Sequence, residues 1–578
     1  MLKKLNHASA TVNIKDTAQK FKTTSKSRSE YFTFQKDALA QLKRILANPG
    51  HFPHFAVCGA KYLDIKEELG GLIRSEFLEE NTASKFFYDP YRNEICPSQY
   101  ASKDMYPLFL PDSRYRPVLY EPIPNLLNLL GIPGINSYKR GLLLSATGGY
   151  LILPLNQLFS DYRTYEALRT CIYRGLIDFS GLENIDFPLE KTQALPAFPL
   201  NLRLILVGSE YYYEYFYQRD HFFREIFPIR VDLKNEVENT PQNRRWFYEF
   251  LDSLQLENYP KINFSGKKTL LKEAFRLNES QKFFSLNRER IRELYTEAVI
   301  LHPKKAIGET EIEKAKELIL QRYSSNKNRY YEALQAGLYR LEMKGKRLGR
   351  INGLSIVTGI HSNYEYGQVS IISARVFTGS GNLTNIEREV NLSGDIHDKG
   401  VLIISSYLKA LFGGHLNISL DASVTFEQNS SIIDGDSASI AQFLAVLSAL
   451  SECKIPANLA VTGAMSQYGD ALPIGEVNKK IEAFYEISSL IGTPKEIYRV
   501  FIPESNVKDL ILSDTVLEAI KKGFFEVLSY AHIEDLIQEI LGLPLGKADK
   551  EGSFPEGSLM HVIQQKLEKK KELEKASV

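Results

Sequence analysis

The chain has 578 residues, 44% of them apolar and 24% charged, a length that exceeds one hydrophobic core and predicts about two to four domains. Lysine and arginine (71) balance aspartate and glutamate (70), so the charge predicts neither a nucleic acid nor an anionic membrane as partner. No uncharged apolar stretch reaches the roughly 18 residues of a membrane span. The composition therefore predicts an ordinary soluble, multidomain protein.

The four cysteines lie far apart along the chain and form no CxxC pair. This spacing indicates reduced thiols rather than a disulfide framework or a zinc site. The first residues carry charge but no apolar run, which argues against a secretory signal peptide. We therefore expect a cytoplasmic protein. The cysteines are Cys58, Cys96, Cys171 and Cys453.

Residues 1–31 are polar and predict a flexible N-terminal arm. From 32 to 264, short apolar runs alternate with helical patterns, which is typical of an α/β domain with a largely parallel sheet. The expected strands lie in HFAVCG (54–59), GGYLILPL (148–155) and LRLILVGS (202–209), and helices are expected in FQKDALAQLKRIL and TYEALRTCIYRGL.

Residues 265–348 carry charge-rich helical periodicity with few breakers and predict an all-helical subdomain. Residues 349–546 begin with β-rich segments such as GQVSIISARVFT and then mix strands with helices. A basic helical tail is expected at 547–578. The predicted fold class is therefore α/β and α+β, divided over several domains.

The stretch SIIDGDSASIAQFLAVLSAL (431–450) places Ser437 at the start of an apolar stripe with helical spacing. Such a serine is either a helix N-cap or a nucleophile beside the unpaired backbone N–H groups of a helix start. A nucleophilic serine also needs a base. His397 in GDIHDKG is more typical of a packed or surface histidine than of a base.

A candidate base lies in PIGEVNKKIEAFY, where a turn opens a helix that carries Lys479 and Lys480. A lysine acts as a base only when it is neutral, which requires burial. Adjacent helical residues point about 100° apart, so one lysine can enter the core while the other stays in water. The alternative is a pair of solvated lysines.

Taken together, DGDSAS, VTG and LPIGEVNKKIEAF resemble the proteolytic domain of Lon proteases, over about 350–545. The resemblance is closer to the branch with an EGDSAS-type turn than to the DGPSAG-type bacterial enzymes. It implies a catalytic Ser-Lys dyad, in which Ser437 is the nucleophile and Lys480, 43 residues later, is the base. Lys479 is then the solvated neighbour.

The resemblance also implies supporting residues. Thr462 matches the threonine that hydrogen-bonds the lysine in the family. Asp434 falls where the family carries an acidic residue that contacts the dyad, although it equally suits a turn former. Glu427 in FEQ is a further candidate for a place beside the dyad or in the substrate groove. Asp436 is a favourable anion at a helix start in either case.

The front half resembles, in patches, the AAA+ ATPase module of Lon-type chains. A phosphate-binding loop G-x-x-x-x-G-K-[ST] should follow HFAVCG, but the chain reads GAKYLDIKEEL, with Ile65 in place of the basic residue. Pro154 and Asn156 stand where acidic residues would hold Mg²⁺, and GKKT at 266–269 lacks the upstream glycine. These departures predict a degenerate AAA+-like domain without a cofactor, as in the LonC-like branch that has lost its nucleotide motifs.

The resemblance implies a serine endopeptidase that degrades unfolded or damaged proteins inside a homohexameric chamber, without ATP and without a metal. Two alternatives stay open: an ATP-dependent Lon-like protease with a divergent nucleotide site, and a non-catalytic chaperone-like ring. The Tyr-rich stretch 210–217 fits either a grip on unfolded chains or simple packing.

Overall fold

The computed structural model of the chain forms two compact units. The front unit contains the described residues of Thr23–Gln255 and Leu286–Arg288, and the rear unit contains those of Met1–Lys22, Leu256–Ser285 and Glu289–Val578. The structure describes residues 2–16, 31–48, 50, 53–77, 80, 85–89, 91–92, 94–100, 102–109, 114–134, 137–177, 197–254, 259–358, 364–412, 420–493, 495–549 and 551–576.

The front unit is built around a five-stranded sheet in which every neighbouring pair is parallel. Its three central strands are buried along their whole length, as their uninterrupted apolar runs predict for a parallel sheet covered on both faces. The predicted α/β fold is confirmed. In spatial order the strands are Arg230–Asp232, Phe55–Cys58, Arg203–Gly208, Tyr150–Pro154 and Val118–Tyr120.

The Tyr-rich stretch lies in helix Glu210–Arg219, where Tyr213 and Phe216 are buried and Tyr211 is exposed. The helices of this unit are Lys36–Ala47, Tyr62–Glu76, Leu126–Leu130, Leu142–Ser145, Leu155–Ser160, Tyr162–Arg174, Glu210–Arg219, His221–Ile226 and Pro241–Ser253, with 3₁₀ turns at Tyr31–Phe34 and Ser98–Tyr100. Its smaller strands are Phe86–Asp89, Glu94–Pro97, Tyr106–Phe109, Gly131–Gly134, Ser137–Arg140, Leu176–Ile177, Phe198–Pro199 and Glu236–Glu238.

The rear unit contains a mixed sheet of eight strands. The long hairpin Arg350–Thr358 and Glu365–Thr378 is antiparallel, and Leu420–Phe426 also pairs antiparallel with it. The later strands Leu459–Val461, Tyr498–Pro503 and Phe525–Tyr530 pair with one another in parallel. In spatial order the strands are Lys3–Lys4, Phe525–Tyr530, Tyr498–Pro503, Leu459–Val461, Arg350–Thr358, Glu365–Thr378, Leu420–Phe426 and Leu383–Asn385. Smaller strands are Phe283–Ser285, Lys346–Arg347, Ile455–Pro456, Ala464–Met465 and Ala471–Leu472.

Helices cover this sheet, and helix Ser439–Ser451 lies at the centre of the apolar core. The rear-unit helices are Phe264–Leu277, Arg288–Leu301, Glu309–Tyr323, Ser325–Gln335, Ile386–Glu389, Asp395–Leu411, Ser439–Ser451, Val477–Ile491, Asp514–Lys522, Ile533–Leu541 and Leu559–Ala576, with a 3₁₀ helix at Glu504–Asp509. None of the helices in the described ranges is long and apolar enough to cross a membrane.

The beginning of the chain is part of the rear sheet. Lys3–Lys4 forms one edge of the sheet, where it pairs in antiparallel fashion with strand Phe525–Tyr530, and Leu5 and Ala10 are buried. Residues 2–16 therefore differ from the flexible arm expected for 1–31, because two apolar side chains and a strand pairing hold them in place. Residues 17–30 of that segment lie outside the described residues.

The C-terminal helix Leu559–Ala576 packs one apolar face into the core around Ser439–Ser451. Leu559, Ile563 and Leu567 lie on that face and are almost fully buried. Lys566 donates a 2.7 Å hydrogen bond to the carbonyl oxygen of Ser451, at the end of the central helix. A basic side chain there satisfies a helix C-terminus and complements its dipole.

We expect Leu567→Ala to lower the free energy of unfolding by about 2–4 kcal/mol, because it removes buried methyl groups and leaves a cavity. Glu568→Ala, an exposed neighbour on the same helix, is the matched control and should change stability by less than about 0.5 kcal/mol. Urea denaturation of both variants measures the difference. Equal stabilities would show that the C-terminal helix does not support the core.

Candidate active site

Ser437 follows a tight acidic turn and precedes a helix that is buried on almost every side. Apolar residues surround helix Ser439–Ser451 in the rear-unit core. A helix that is apolar all round belongs in a protein interior and fixes the chain at its start. Residues 434–437 are therefore presented by a rigid support.

Helix Asp395–Leu411 packs against this turn through the GDIHDKG sequence. His397 is buried, and its Nδ1 lies 3.3 Å from the carbonyl oxygen of Gly435. A Cβ atom at Gly394 would lie 2.6 Å from the carboxyl group of Asp434, so glycine is needed for this close approach. His397 is thus a packed histidine that supports the turn.

The carbonyl group of Ser437 is held by the VTG segment. Thr462 Oγ1 donates a hydrogen bond of 3.2 Å to this oxygen, and the N–H of Gly463 donates one of 2.7 Å. The hydroxyl of Tyr530 in turn donates to the carbonyl of Thr462. The family resemblance implied a hydrogen bond between Thr462 and Lys480. The structure differs, because it places the threonine hydroxyl on the backbone of Ser437.

The two adjacent lysines leave helix Val477–Ile491, here called the Lys480 helix, in different directions. Lys479 is partly exposed and forms ion pairs with Glu365 (2.6 Å) and Glu476. Burial lowers the pKa of Lys479, but hydrogen bonds to these two carboxylates outweigh it, so its pKa lies above the ordinary value. Lys480 enters the core and is only 4% exposed.

The structure brings Ser437 and Lys480 together: Nζ of the lysine lies 2.9 Å from Oγ of the serine. Burial lowers the pKa of Lys480 from its ordinary value of 10.5 to about 8, against the opposing charges of Glu279, Glu476 and Asp436. A desolvated amine with such a pKa holds a useful neutral fraction near neutral pH. The neutral amine of Lys480 is therefore able to accept the proton of the Ser437 hydroxyl.

Two other predicted residues have contacts away from this pair. Asp434 accepts a hydrogen bond from the N–H of Gly435, which supports its reading as a turn former. Glu427 accepts a 2.6 Å hydrogen bond from Ser373, and its own N–H donates to the carbonyl of Ile371. In the described part of the chain, the structure gives Glu427 no contact with Ser437 or Lys480.

Sequence reasoning missed Glu279, a carboxylate that faces Lys480 from 201 positions upstream (480 − 279 = 201). It follows helix Phe264–Leu277 in a charge-rich region, and no spacing pattern marks it. The four cysteines are free thiols. Among the described residues, no group of three or more His, Cys, Asp or Glu side chains could hold a metal ion.

Two family models and several known proteins are similar in sequence to this chain. Residues 114–234 match the family model of the LonB-like AAA domain, and residues 334–542 match that of the Lon protease (S16) C-terminal proteolytic domain. A Lon protease homolog of Escherichia coli (strain K12) is 29% identical over 74% of this chain and 72% of its own length. One from Haemophilus influenzae is 27% identical over 76% and 72%. The archaeal Lon protease of Pyrococcus abyssi is 33% identical over 37% of this chain and 21% of its own length. This chain therefore carries a region that matches a LonB-like AAA domain, followed by a region that matches the Lon protease (S16) proteolytic domain, and the second match supports a serine peptidase.

Proposed function

We propose that the protein is an endopeptidase in which Ser437 and Lys480 form the catalytic dyad, and that it degrades unfolded proteins without ATP. The observation that carries the proposal is the 2.9 Å separation between Oγ of Ser437 and Nζ of a lysine that is almost completely buried. Because burial lowers the pKa of Lys480 to about 8, a fraction of the amine is neutral near pH 7 and is available as a base.

In the first half of the reaction, neutral Lys480 takes the proton from the Ser437 hydroxyl while Oγ attacks the carbonyl carbon of the peptide bond. The first N–H groups of helix Ser439–Ser451 already donate to carbonyl oxygens, Ser439 to that of Asp436 and Ile440 to that of Gly463, so the developing oxyanion needs donors other than these two. The lysine ammonium then gives its proton to the departing amine, which leaves an acyl-serine ester. Water, deprotonated by Lys480, hydrolyses that ester and restores the serine.

The residues of the front unit do not fit a nucleoside triphosphate. Strand Phe55–Cys58 and helix Tyr62–Glu76 are joined by three residues, 59–61, fewer than a G-x-x-x-x-G-K-[ST] loop needs to wrap phosphates. Gly59 packs so tightly on the backbone of Leu233 that a Cβ would collide with its carbonyl oxygen. These features leave the connection without the open cradle of backbone N–H groups that phosphate binding requires.

The positions that would contact phosphate and Mg²⁺ have other partners. Ile65, at the position of the basic residue, is fully buried, and Tyr62 at the start of the same helix donates a 3.1 Å hydrogen bond to the carbonyl of Ile152. Asn156 accepts a hydrogen bond from the N–H of Ser209 and supplies no carboxylate. The GKKT sequence lies in the first turns of helix Phe264–Leu277, capped by Asn263. These contacts support a front unit that serves as a scaffold.

A protease without a motor should act on chains that are already unfolded. We propose unfolded or damaged proteins as substrates and a homohexameric chamber as the working assembly. Free thiols at Cys58, Cys96, Cys171 and Cys453 fit a reducing compartment, and we place the protein in the cytoplasm.

Casein, which has little stable structure, should be cleaved at the same rate with and without ATP and Mg²⁺, and calorimetry should detect no heat of nucleotide binding. A stably folded substrate is the matched comparison and should resist cleavage under both conditions. Stimulation of casein cleavage by ATP would favour the ATP-dependent alternative. Absence of cleavage, together with no labelling of Ser437 by a fluorophosphonate, would favour the chaperone-like ring. Mass photometry measures whether the particle is a hexamer.

A further inference from the structure

The N-terminus of the Lys480 helix is contacted by a residue from a distant part of the chain. Glu279 lies in the turn after helix Phe264–Leu277, and its Oε2 accepts a 2.8 Å hydrogen bond from the N–H of Glu476, the residue that precedes the Lys480 helix. Glu476 itself makes no side-chain cap. Glu279 therefore supplies, from 197 positions upstream, an acceptor that helix starts need.

The backbone at both ends of this contact is in the left-handed region. The φ angle is +43° at Glu279 and +57° at Glu476. Glu279 also follows the C-cap residue Asn278, a position at which glycine or asparagine is the usual choice. A residue with a Cβ costs about 1–2 kcal/mol in this conformation. The hydrogen bond that the Glu279 carboxylate accepts from the N–H of Glu476 offsets part of a strain that glycine would avoid.

The turn that carries Glu279 is held firmly. On one side, Arg276 forms two hydrogen bonds to the Glu482 carboxylate of the Lys480 helix, at 2.9 and 3.0 Å, and a third to the carbonyl of Ile511. On the other side, the Gln281 side chain donates to the carbonyl oxygens of Leu510 at 2.8 Å and of Ser9 at 3.0 Å. Contacts on both sides fix the position of the carboxylate relative to the Lys480 helix.

Several charged groups face Lys480. The carboxylates of Glu279, Glu476 and Asp436 all favour its ammonium form, and Glu279 has the largest effect of the three. Lys479, on the next position of the helix, is paired with carboxylates of its own. Burial acts in the opposite direction and is the dominant influence on the pKa of Lys480. The charge on Glu279 thus opposes the desolvation that makes the lysine a base.

We propose that Glu279 is a positioning residue for the dyad, which caps the helix that carries Lys480 and holds a negative charge at the start of that helix. The inference rests on the proposed role of Lys480 as the base. A base that must also return its proton to the leaving amine works best when neither form dominates strongly. Glu279 supplies a negative charge that favours the ammonium of Lys480, the form from which the proton returns to the leaving amine, and it links the helical segment before residue 285 to the chemistry.

Glu279→Gln tests the proposal, because glutamine keeps an oxygen for the N–H of Glu476 and removes only the charge. In the wild-type protein, the rate of Ser437 labelling by a fluorophosphonate should rise through a midpoint near pH 8, where Lys480 becomes neutral. In Glu279→Gln the midpoint should fall by roughly 0.5–1 pH unit, since an opposite charge no longer stabilises the ammonium. The pH profile of kcat/KM for an unstructured peptide should move in the same direction.

Glu482→Gln is the matched control. It breaks the Arg276 ion pair on the same contact surface, but Glu482 is not among the carboxylates that set the pKa of Lys480. Its midpoint should stay at the wild-type pH even where its rate falls. Glu279→Asp, which keeps the charge but shortens the reach to the helix, should lower the labelling rate and leave the midpoint near the wild-type value.

A Glu279→Gln midpoint equal to that of the wild type would overturn the proposal, as would an equal shift in Glu482→Gln. These outcomes are distinct from failure of the dyad itself. If wild-type Ser437 is not labelled at any pH, the dyad assignment is wrong. If it is labelled normally and the midpoint does not move in Glu279→Gln, only the role of Glu279 is wrong.

Discussion

Ser437→Ala is expected to reduce cleavage of unfolded casein by at least roughly 10³-fold, because the acyl-serine intermediate can no longer form. The substitution removes one oxygen atom, the partner of Nζ of Lys480 at 2.9 Å. The turn itself is held through the Ser437 backbone, whose carbonyl accepts hydrogen bonds from Thr462 and Gly463. The fold and the particle size should therefore be unchanged, and casein should still bind.

Ser439→Ala provides the matched control, two positions further along the chain. Ser439 is also buried, and its Oγ accepts a 2.9 Å hydrogen bond from the N–H of Met465. Its loss should destabilise the fold by about 1–3 kcal/mol, since a buried donor loses its partner, yet cleavage should continue. Cleavage by Ser437→Ala, measured by release of acid-soluble fragments, would show that another group is the nucleophile.

Lys480→Met should abolish cleavage to a similar degree and, at the same time, make the protein more stable at neutral pH. A pKa lowered from 10.5 to about 8 means that the folded protein binds this proton less tightly than the unfolded chain does. Below pH 8 the folded state carries the whole cost of the buried ammonium, on the order of 3 kcal/mol. Methionine has a similar length and no charge, so we expect a gain of about 2 kcal/mol at pH 7.

The stability gain expected for Lys480→Met depends on pH. As the pH rises from about 8 to 10.5, Lys480 becomes neutral in the folded protein while it stays charged in the unfolded chain, so the cost disappears. The stability gain of Lys480→Met should therefore shrink over this interval. Lys479→Met is the control: its lysine is charged and paired in the folded state, so the variant should retain activity and gain no stability. Urea denaturation at pH 7 and pH 10 decides the matter, and an unchanged or lower stability of Lys480→Met at pH 7 would contradict the burial argument.

The fold could be predicted where local patterns were strong. The strands around residues 55–58, 150–154 and 203–208 were visible as short apolar runs between helical patterns, because strands of a parallel sheet are buried on both faces. The N-terminal strand Lys3–Lys4 was not visible. Two charged residues carry no strand signal, and only pairing with strand Phe525–Tyr530 gives them their conformation.

The resemblance carried by two separated motifs predicted that Ser437 and Lys480 meet, and the structure places them 2.9 Å apart, but the detail around them could not be predicted. The role of Thr462 shows why: the sequence gives its place at the end of a strand, whereas the choice between the Ser437 carbonyl and the Lys480 amine depends on distances of about 3 Å. The contact made by Glu279 was even less predictable from the sequence. A contact made across 197 positions leaves no periodicity in the chain.

By itself, the sequence determined the fold class, the resemblance to Lon proteolytic domains, the serine and the choice of Lys480 over Lys479, since apolar spacing and short motifs are local properties of a chain. Only the tertiary structure decided how far Lys480 loses contact with water and which carboxylates oppose that loss. Solvent exclusion and charge–charge interactions act through space, and residues far apart in sequence set both of them. The proton affinity of Lys480 is therefore a property of the folded unit, although the lysine itself can be read from the chain.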